Sequence, residues 1–512
     1  MANIIVELSK YILVVCIILY TYQCFSVFGY HDYDKKQRIL NRQRNLMLVI
    51  HFICFLVIYT STNELNMLIF YAVQGVILIV INLLYTFVYP KVSRLVVNNM
   101  CMLISIGFVM LARLSFNKAV KQCVFVSGCF AASLFVPLII RKVKMLSQWR
   151  IFYGVVGIVS LAAVLVAAQV SDGAKLGFTF GGISIQPSEL VKIIFVFFVA
   201  ASFYKSVSFT NVVITTALAA FHVLILVISK DLGAALIIFV VYLIMLYVAT
   251  RQPLYMLAGL GAGSVASVAA YHLFSHVRTR VLVWKDPFAV YQNGGFQVAQ
   301  SLFAIGTGSW FGMGLFQGAP NEIPVAEEDF IFSAISEELG LIFALCLILI
   351  CLSCYVMFLN IAMQLRDLFY KLVALGLGTC YIFQVFLTIG GVTKFIPSTG
   401  VTLPFVSYGG SSVLSTMIMF AVIQGLYILR EDEEENLERE KAKQLREEKR
   451  ISKPAKRRQA PADKEKRPLE QPKRRAQSKP RPRSVDEEIG ATVQEALREK
   501  EREERAQKEK YQ

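Results

Sequence analysis

Ile323-Pro-Val-Ala-Glu-Glu-Asp-Phe-Ile-Phe332 joins an acidic loop to a long apolar run, residues 331–358. A helix over that run rises 1.5 Å per residue and is long enough to cross the ~30 Å hydrocarbon core of a bilayer. Glu327, Glu328 and Asp329 therefore stand at the mouth of a predicted membrane helix. Carboxylates in that position are either solvated markers of the membrane boundary or reactive groups held beside a membrane-borne substrate.

The composition of the whole chain agrees with a membrane protein. Of its 512 residues, 56% are hydrophobic and 17% are charged, whereas soluble domains have about 45–50% apolar and about 25% charged residues. Apolar stretches in lipid must be helical, because each backbone polar group needs a partner within the segment. The sequence predicts an all-α, polytopic integral membrane protein and excludes a soluble globular enzyme.

Thirteen stretches have the length and apolar content of a membrane span. The first lacks a basic segment before it and a small-residue cleavage site, so we predict a retained helix and not a signal peptide. The predicted spans are 8–29, 45–62, 66–89, 97–114, 120–140, 151–170, 187–204, 209–228, 232–249, 253–274, 331–358, 369–390 and 411–429.

Basic residues predict the orientation of these spans. Clusters at 35–44 and 141–150 mark cytoplasmic loops, since cytoplasmic loops are enriched in Lys and Arg. Thirteen crossings from an outside N-terminus place the C-terminus in the cytoplasm. They also place the loop 275–330 outside the cytoplasmic membrane. Arg113 and Lys118 fit this orientation poorly, because they fall in a loop predicted to lie outside.

The ten cysteines and the C-terminal tail carry little chemistry. The cysteines fall inside apolar stretches, as small buried hydrophobes do, and the pair Cys351 and Cys354 has no second pair to complete a metal site. From residue 431 the chain is charged and lacks aromatics until Tyr511, which predicts a disordered tail. Its polybasic segments predict contact with anionic membrane lipids. Nucleic-acid binding is not predicted, since no aromatics interleave the basic residues.

Two polar stretches beside predicted spans contain cations. In the stretch 184–192, Lys192 lies one turn inside a span, where a cation needs a partner. Glu189 and a substrate phosphate are the two alternatives for that partner. In the stretch 278–300, Arg278 and Arg280 suit bidentate binding of phosphate oxygens. The alternative for these arginines is contact with lipid headgroups at a helix end.

Two further stretches have irregular backbone. Residues 304–318 are rich in glycine, which favours a turning backbone that can approach another chain or a ligand closely. No strand–loop–helix unit surrounds them, so a cytosolic type of phosphate loop is excluded. Residues 395–412 contain two prolines and a run of hydroxyls that includes Ser407. Such backbone at membrane depth predicts a re-entrant segment that lines a site.

These stretches, taken in order, resemble the SEDS family, the RodA/FtsW/SpoVE group of shape, elongation, division and sporulation proteins. The resemblance extends over residues 97–430. It implies a ten-helix catalytic core (97–430), preceded by an addition of about three membrane helices (1–96) and followed by the charged tail (431–512). The motifs that carry it are Gln186–Glu189, Asp231–Gly233, Arg280–Gln300, Asp329–Phe332 with Glu337–Gly340, and Pro397–Gly400 through Pro404–Ser412.

The resemblance also implies an activity and a partner. The family polymerises the cell-wall precursor lipid II and works with a class B penicillin-binding protein that crosslinks the product. The key acid of the family falls on Asp329. This chain departs from the family where a His-Thr pair is often found, at Glu327 and Glu328, and where a Pro is often found, at Lys230.

We therefore expect a peptidoglycan glycosyltransferase that acts in elongation, division or sporulation at the outer face of the membrane. A lipid II flippase and a non-catalytic scaffold of the cell-wall machinery are the alternatives. No cofactor is required by the sequence, and Mg²⁺ or Mn²⁺ on the pyrophosphate, helped by Glu327 or Glu328, is an open alternative. Asp329 is the expected base or its electrostatic equivalent. The candidates for binding the pyrophosphate are Arg278, Arg280 and Lys192, and the other candidate substrate-binding residues are Glu189, Gln297 and Ser407.

Overall fold

The computed structural model describes residues 2–30, 32–167, 169–171, 174–180 and 183–451. The chain divides into two units, Met1–Glu431 and Asp432–Gln512. The described start of the second unit, to Ile451, is helical. The sequence predicted disorder for the whole tail, 431–512, and this is wrong for residues 431–451, where α16 continues as a helix. Residues 452–512, with most of the predicted lipid contact, lie outside the described residues.

Helices form at every predicted span, which confirms an all-α, multi-pass membrane protein. Among the described residues, twelve helices are long and apolar enough to cross a membrane, and the helix at the sixth predicted span is apolar but shorter. The helices are α1 Ala2–Ser26, α2 Tyr33–Thr62, α3 Leu65–Val88, α4 Arg94–Leu114, α5 Phe116–Ser133, α6 Val136–Lys142, α7 Arg150–Ala167, α8 Pro187–Lys205, α9 Phe209–Ile228, α10 Leu232–Thr250, α11 Pro253–Leu273, α12 Ser275–Lys285, α13 Phe296–Gly308, α14 Ile331–Gln364, α15 Leu368–Val392 and α16 Gly410–Ile451.

The sixth predicted span, 151–170, extends too far. Helix α7 ends at Ala167, because the polar residues Gln169 and Ser171 end the apolar run. A small antiparallel sheet that the sequence analysis missed follows, with its strands in the order β1-β2-β3. The strands are β1 Gln169–Ser171, β2 Ala174–Phe180 and β3 Ile183–Ile185.

Helix α4 lies at the centre of the bundle. Each of its residues from Leu95 to Ala112 is buried, and it packs against α2, α3, α5 and α14. Helix α11, which is described over its whole length, has no buried residue and lies at the periphery. Helix α4 is therefore enclosed by these four helices, and α11 presents its apolar side chains outward, as a lipid-facing helix does.

A buried polar network fastens the three N-terminal helices to α4. The Asn99 amide oxygen accepts hydrogen bonds from Tyr20 of α1 (3.0 Å) and Gln43 of α2 (3.3 Å). The neighbouring Asn98 donates to the Gln43 amide oxygen (2.9 Å) and accepts from Asn82 of α3 (2.9 Å). Buried amides in an apolar bundle need such partners. The N-terminal helices are thus packed into the same unit as the helices that follow them.

Five connecting segments meet at one end of the bundle, which we call the loop end. They are the connections α4–α5, α7–α8, α9–α10, α11–α14 and α15–α16, and hydrogen bonds join them to one another. Because the polar stretches of the sequence lie on these segments or at the helix ends beside them, the fold brings together residues that are up to about three hundred positions apart in the chain.

Candidate functional site

Two cavities lie side by side at the loop end. The first, of about 170 Å³, is the Asp329 cavity, and the second, of about 260 Å³, is the Lys192 cavity. Gly400 lines both, and the consecutive residues Glu328 and Asp329 line the Lys192 cavity and the Asp329 cavity respectively. The Asp329 cavity is also lined by Arg280, Trp284, Gln297 and Lys394, and the Lys192 cavity by Gln186, Glu189, Asp231 and Tyr408.

Asp329 is partly buried in the turn that leads into α14. Gly400 has a φ of +71°, and a Cβ built there would lie 3.4 Å from Asp329 Oδ2 and 3.8 Å from an Arg280 nitrogen. The glycine therefore lets the 397–400 loop lie against both side chains. Burial raises the pKa of Asp329 to about 6, the charge of Glu328 adds to this rise, and Arg280 opposes it.

Helix α12 and the loop 393–402 both line the Asp329 cavity and are joined by hydrogen bonds. Arg280 and Trp284 lie one turn apart on the same face of α12. Arg280 donates a hydrogen bond to the carbonyl oxygen of Ser398 (3.2 Å), and Trp284 Nε1 donates to that of Lys394 (3.2 Å). Burial lowers the pKa of Arg280, and the carboxylates of Asp329 and Asp231 oppose that effect.

Of the two predicted arginines, the structure brings only Arg280 to Asp329. Arg278 is exposed, donates a hydrogen bond to the carbonyl oxygen of His272 (3.2 Å) and lies over the ring of Tyr271 (5.9 Å). Residues two apart on a helix point in nearly opposite directions. Arg278 is accordingly not among the described residues that line either cavity. The structure thus places Arg280 at the Asp329 cavity and Arg278 away from it, and phosphate binding by either arginine stays a prediction.

Lys192 is buried at the other cavity with two partners. Its ammonium donates to Glu189 Oε1 (2.9 Å) and to Gln384 Oε1 (2.8 Å), and Glu189 Oε2 accepts from Ser415 (2.8 Å). The structure thus shows the first of the two alternatives for the partner of Lys192, the carboxylate one turn away. Substrate binding by Lys192 and Glu189 stays a prediction.

Gln297 and Ser407 have different positions relative to the cavities. Gln297, near the start of α13, lines the Asp329 cavity. Ser407 is buried, and its hydroxyl donates to the carbonyl oxygen of Glu328 and accepts from the N–H of Leu403 (2.9 Å). Backbone groups already use that hydroxyl, so Ser407 holds the chain beside Asp329. Contact of Ser407 with substrate stays a prediction.

Helix α5 contributes two residues that the sequence analysis did not place at the site. Lys118 forms ion pairs with Glu327 and with Glu328 (3.5 Å to Oε1) and lies over the ring of Tyr408 (5.2 Å). Gln122, one turn later on α5, donates to the carbonyl oxygen of Ser407 (3.1 Å). The sequence signal was weak: Lys118 at the start of a helix and the two glutamates have opposite charges, but they lie far apart in the chain.

The glycine-rich stretch 304–318 packs against a break in α14. Gly340 has a φ of +88° inside that helix, and a Cβ on Gly312 would lie only 2.3 Å from the carbonyl oxygen of Glu338. Arg113 of α4 fixes the break by donating from Nε to Glu338 Oε1 (2.8 Å). The predicted close approach is therefore made to α14, and Arg113 has a carboxylate partner.

The residues present do not fit a resident metal ion. Among the described residues, no three His, Cys, Asp or Glu side chains come together as metal ligands. Glu327 and Glu328, the expected helpers, are paired with Lys118, and Asp329 lies beside Arg280. We derive no step through a protein-bound cation.

Comparison with known proteins identifies the family. The FtsW/RodA/SpoVE family, described as cell cycle protein, matches residues 92–431, which begin just before α4. The chain belongs to this family. The match contains ten of the membrane helices, α4, α5, α7 to α11 and α14 to α16, and α1 to α3 precede it.

The chain is similar to named relatives and to solved structures. It is 34% identical over 363 residues to the peptidoglycan glycosyltransferase RodA of Mycobacterium tuberculosis. The aligned region covers 65% of this chain and 77% of that relative. The chain is 32% identical over 348 residues to the probable peptidoglycan glycosyltransferase FtsW of Saccharophagus degradans, which covers 63% and 88%.

Two solved structures share the fold of this family member. One is a chain of a peptidoglycan synthase complex that coordinates polymerization and crosslinking, with a TM-score of 0.57, 22% identity and coverage of 66% of this chain and 98% of that one. The other is the rod shape determining protein RodA of Thermus thermophilus, with a TM-score of 0.50, 21% identity and coverage of 66% and 97%. At these identities the likeness establishes the fold alone.

Proposed function

We propose that this chain is a peptidoglycan glycosyltransferase that polymerises lipid II during elongation, division or sporulation. The observation that carries the proposal is that Asp329 and Arg280 line one cavity at the loop end and both approach Gly400. The names of the relatives in the family support the same activity. A base beside a cation is the arrangement that glycosyl transfer from a pyrophosphate requires.

The reaction assigns one task to each of the two side chains. The 4-hydroxyl oxygen of the acceptor sugar attacks the anomeric carbon of the donor, and its proton passes to a carboxylate oxygen of Asp329. The bond between the anomeric carbon and the pyrophosphate oxygen breaks, and the electron pair leaves with the polyprenyl pyrophosphate. Arg280 stabilises the negative charge of that leaving group. With a pKa of about 6, Asp329 is mostly ionised at neutral pH and can accept the proton.

The loop end is proposed to face outward from the cytoplasmic membrane, with the C-terminus in the cytoplasm. The basic cluster at 35–44 lies in the first turns of α2 and that at 141–150 runs from the end of α6 to the start of α7, so neither is on a connection of the loop end. Arg113 and Lys118, which argued against this orientation, are paired with acidic side chains there. Their charges therefore do not oppose it.

The proposed partner is a class B penicillin-binding protein. The support is that a chain of this fold belongs to a synthase complex that coordinates polymerization and crosslinking. We also propose that the basic tail contacts anionic lipids and that any Mg²⁺ or Mn²⁺ requirement resides in the pyrophosphate of the substrate.

The test is polymerisation of labelled lipid II by the purified chain with its penicillin-binding partner, resolved as glycan chains on a gel. We expect polymer from the natural chain and none from Asp329→Ala. Asp286→Ala is the matched control, because Asp286 is an exposed acid just after α12. Equal polymerisation by Asp329→Ala would contradict the catalytic role, and lipid scrambling without polymer would favour a flippase.

A further inference from the structure

Lys394 is a second cation in the Asp329 cavity, and the site described so far does not use its charge. It lies in the loop after α15, where its backbone N–H donates to Gly391 (3.3 Å) and its carbonyl oxygen accepts from Trp284 (3.2 Å). Its φ is +59°, a conformation that few residues other than glycine adopt. The turn and the hydrogen bond from α12 hold the residue at the wall of the cavity.

The ammonium of Lys394 differs from the other lysines of the loop end whose partners are given above. In the part of the chain that the structure describes, it makes neither a hydrogen bond nor an ion pair. Lys118 and Lys192, by contrast, are each bound to glutamate. An unpaired cation that lines a cavity is available to an anion that enters it.

We propose that Lys394 and Arg280 together bind the phosphate oxygens of a polyprenyl pyrophosphate in the Asp329 cavity. This inference rests on the proposed function and extends it to a residue outside the motifs. The flat guanidinium of Arg280 suits two oxygens of one phosphate, and the compact ammonium of Lys394 suits the second phosphate. These are the only two cations among the described residues lining this cavity, and they face one carboxylate, Asp329.

The charges of the neighbouring cavity argue against phosphate there. Glu189, Asp231 and Glu328 line the Lys192 cavity together with one cation, Lys192, which already has two partners. A diphosphate that entered this cavity would meet three carboxylates. The two cavities therefore sort substrate groups by charge, with the phosphates directed to the side of Lys394.

The test measures binding of farnesyl pyrophosphate, a short polyprenyl pyrophosphate, to the purified full chain in phosphatidylcholine nanodiscs by calorimetry. We expect Lys394→Ala to weaken binding about tenfold to a hundredfold, because a charge-assisted contact is lost. Lys394→Arg should retain most of the affinity. The matched control is Lys285→Ala, which removes an exposed lysine at the end of α12 and should bind as the natural chain does.

Two further arms identify the source of the phosphate. Farnesol, which lacks phosphate, should not bind in a Lys394-dependent way. Phosphatidylglycerol in the nanodisc should leave the affinity for farnesyl pyrophosphate within about twofold of its value without it. If phosphatidylglycerol competes strongly, the site holds a bulk lipid headgroup, and the assignment to pyrophosphate is overturned.

The remaining outcomes separate this inference from the proposed function. Unchanged binding by Lys394→Ala, or an equal loss in Lys285→Ala, overturns the role of Lys394 even if the natural chain polymerises lipid II. Lys394-dependent binding of the probe by a chain that makes no polymer overturns the proposed activity and supports the pyrophosphate site.

Discussion

The two cavities at the loop end share a wall but differ in how their charges are paired. In the Lys192 cavity the one cation is buried against Glu189 and Gln384, so its charge is already used inside the protein. In the Asp329 cavity an acid whose pKa burial raises to about 6 faces Arg280 and the unpaired Lys394. Unsatisfied charge is costly to keep in a folded protein and is found where a ligand completes the site. The comparison supports the proposal that the chemistry takes place in the Asp329 cavity, and it leaves substrate binding in the Lys192 cavity as a prediction.

The largest effect is expected when the carboxylate of the first cavity is removed with little change in shape. Asp329→Asn should lower the rate of lipid II polymerisation by about 10²–10⁴-fold, because an amide cannot accept the proton of the attacking hydroxyl. Glu328→Gln, the same change at the neighbouring residue in the other cavity, is the control and should keep most of the activity. Comparable losses of activity in both variants would contradict the proposal that only the carboxylate in the Asp329 cavity takes part in the reaction.

A second test uses the pH dependence of the same reaction. Because a base must be ionised to act, the rate should fall as the pH drops through about 6, the pKa to which burial raises Asp329. Well below that value the fall should approach tenfold per pH unit, and above it the rate should level off. A rate that stays constant down to pH 4.5 would mean that proton transfer to Asp329 does not limit the reaction.

Variants of Arg278 and Arg280 test whether an arginine needs to lie at the Asp329 cavity to affect the rate of polymerisation. Arg280→Ala should lower polymerisation by about 10²-fold, since it removes charge stabilisation at the leaving group. Arg278→Ala removes the same charge two residues away and should change the rate by less than about threefold, as expected for an exposed cation. The measurement is the steady-state rate of each variant at saturating lipid II. Equal losses of rate would mean that both arginines contribute to the reaction.

The ion pair between Glu189 and Lys192 should contribute more to the stability of the fold than to the activity. Glu189→Gln leaves a buried ammonium without its carboxylate, which costs about 3–5 kcal/mol in comparable buried pairs. We expect a lower Tm in detergent, with partial recovery in the double variant Glu189→Gln, Lys192→Met, which removes both charges. If the single variant unfolds at the Tm of the natural chain and yet loses activity, then Glu189 acts on substrate.

The sequence predicted the membrane helices and the central acid because both are local signals. Apolar runs define helices in lipid whatever they pack against, and Asp329 lies within a motif that can be compared along the chain. The divergence of Arg278 and Arg280 was also available from the helical repeat, but only after α12 was known to be a helix. The strands after α7 were not predicted, because the short polar stretch that forms them has no clear alternation of apolar and polar residues.

The rest of the site depends on contacts that no local pattern reports. Lys118 and Glu327 are more than two hundred positions apart, and only the packing of α5 beside the turn before α14 brings them together. Lys394 resembles an ordinary loop lysine until the cavity is known. Pairing between distant charges is a property of tertiary structure, and so these residues were found only in the folded chain.

The smallest predicted effect concerns that distant pair. Lys118 neutralises Glu327 and Glu328, and Glu328 is the charge that adds to the rise in the pKa of Asp329. Lys118→Met should therefore move the acid limb of the pH–rate profile upward, on the order of one pH unit for charges separated by about 10 Å near a protein surface. Lys121→Met, at an exposed position on the same helix, should leave the limb in place. A uniform loss of rate in Lys118→Met without a shift would show that the lysine only holds the loop. A shift would show that Lys118 of α5 influences the pKa of Asp329 through its effect on Glu328.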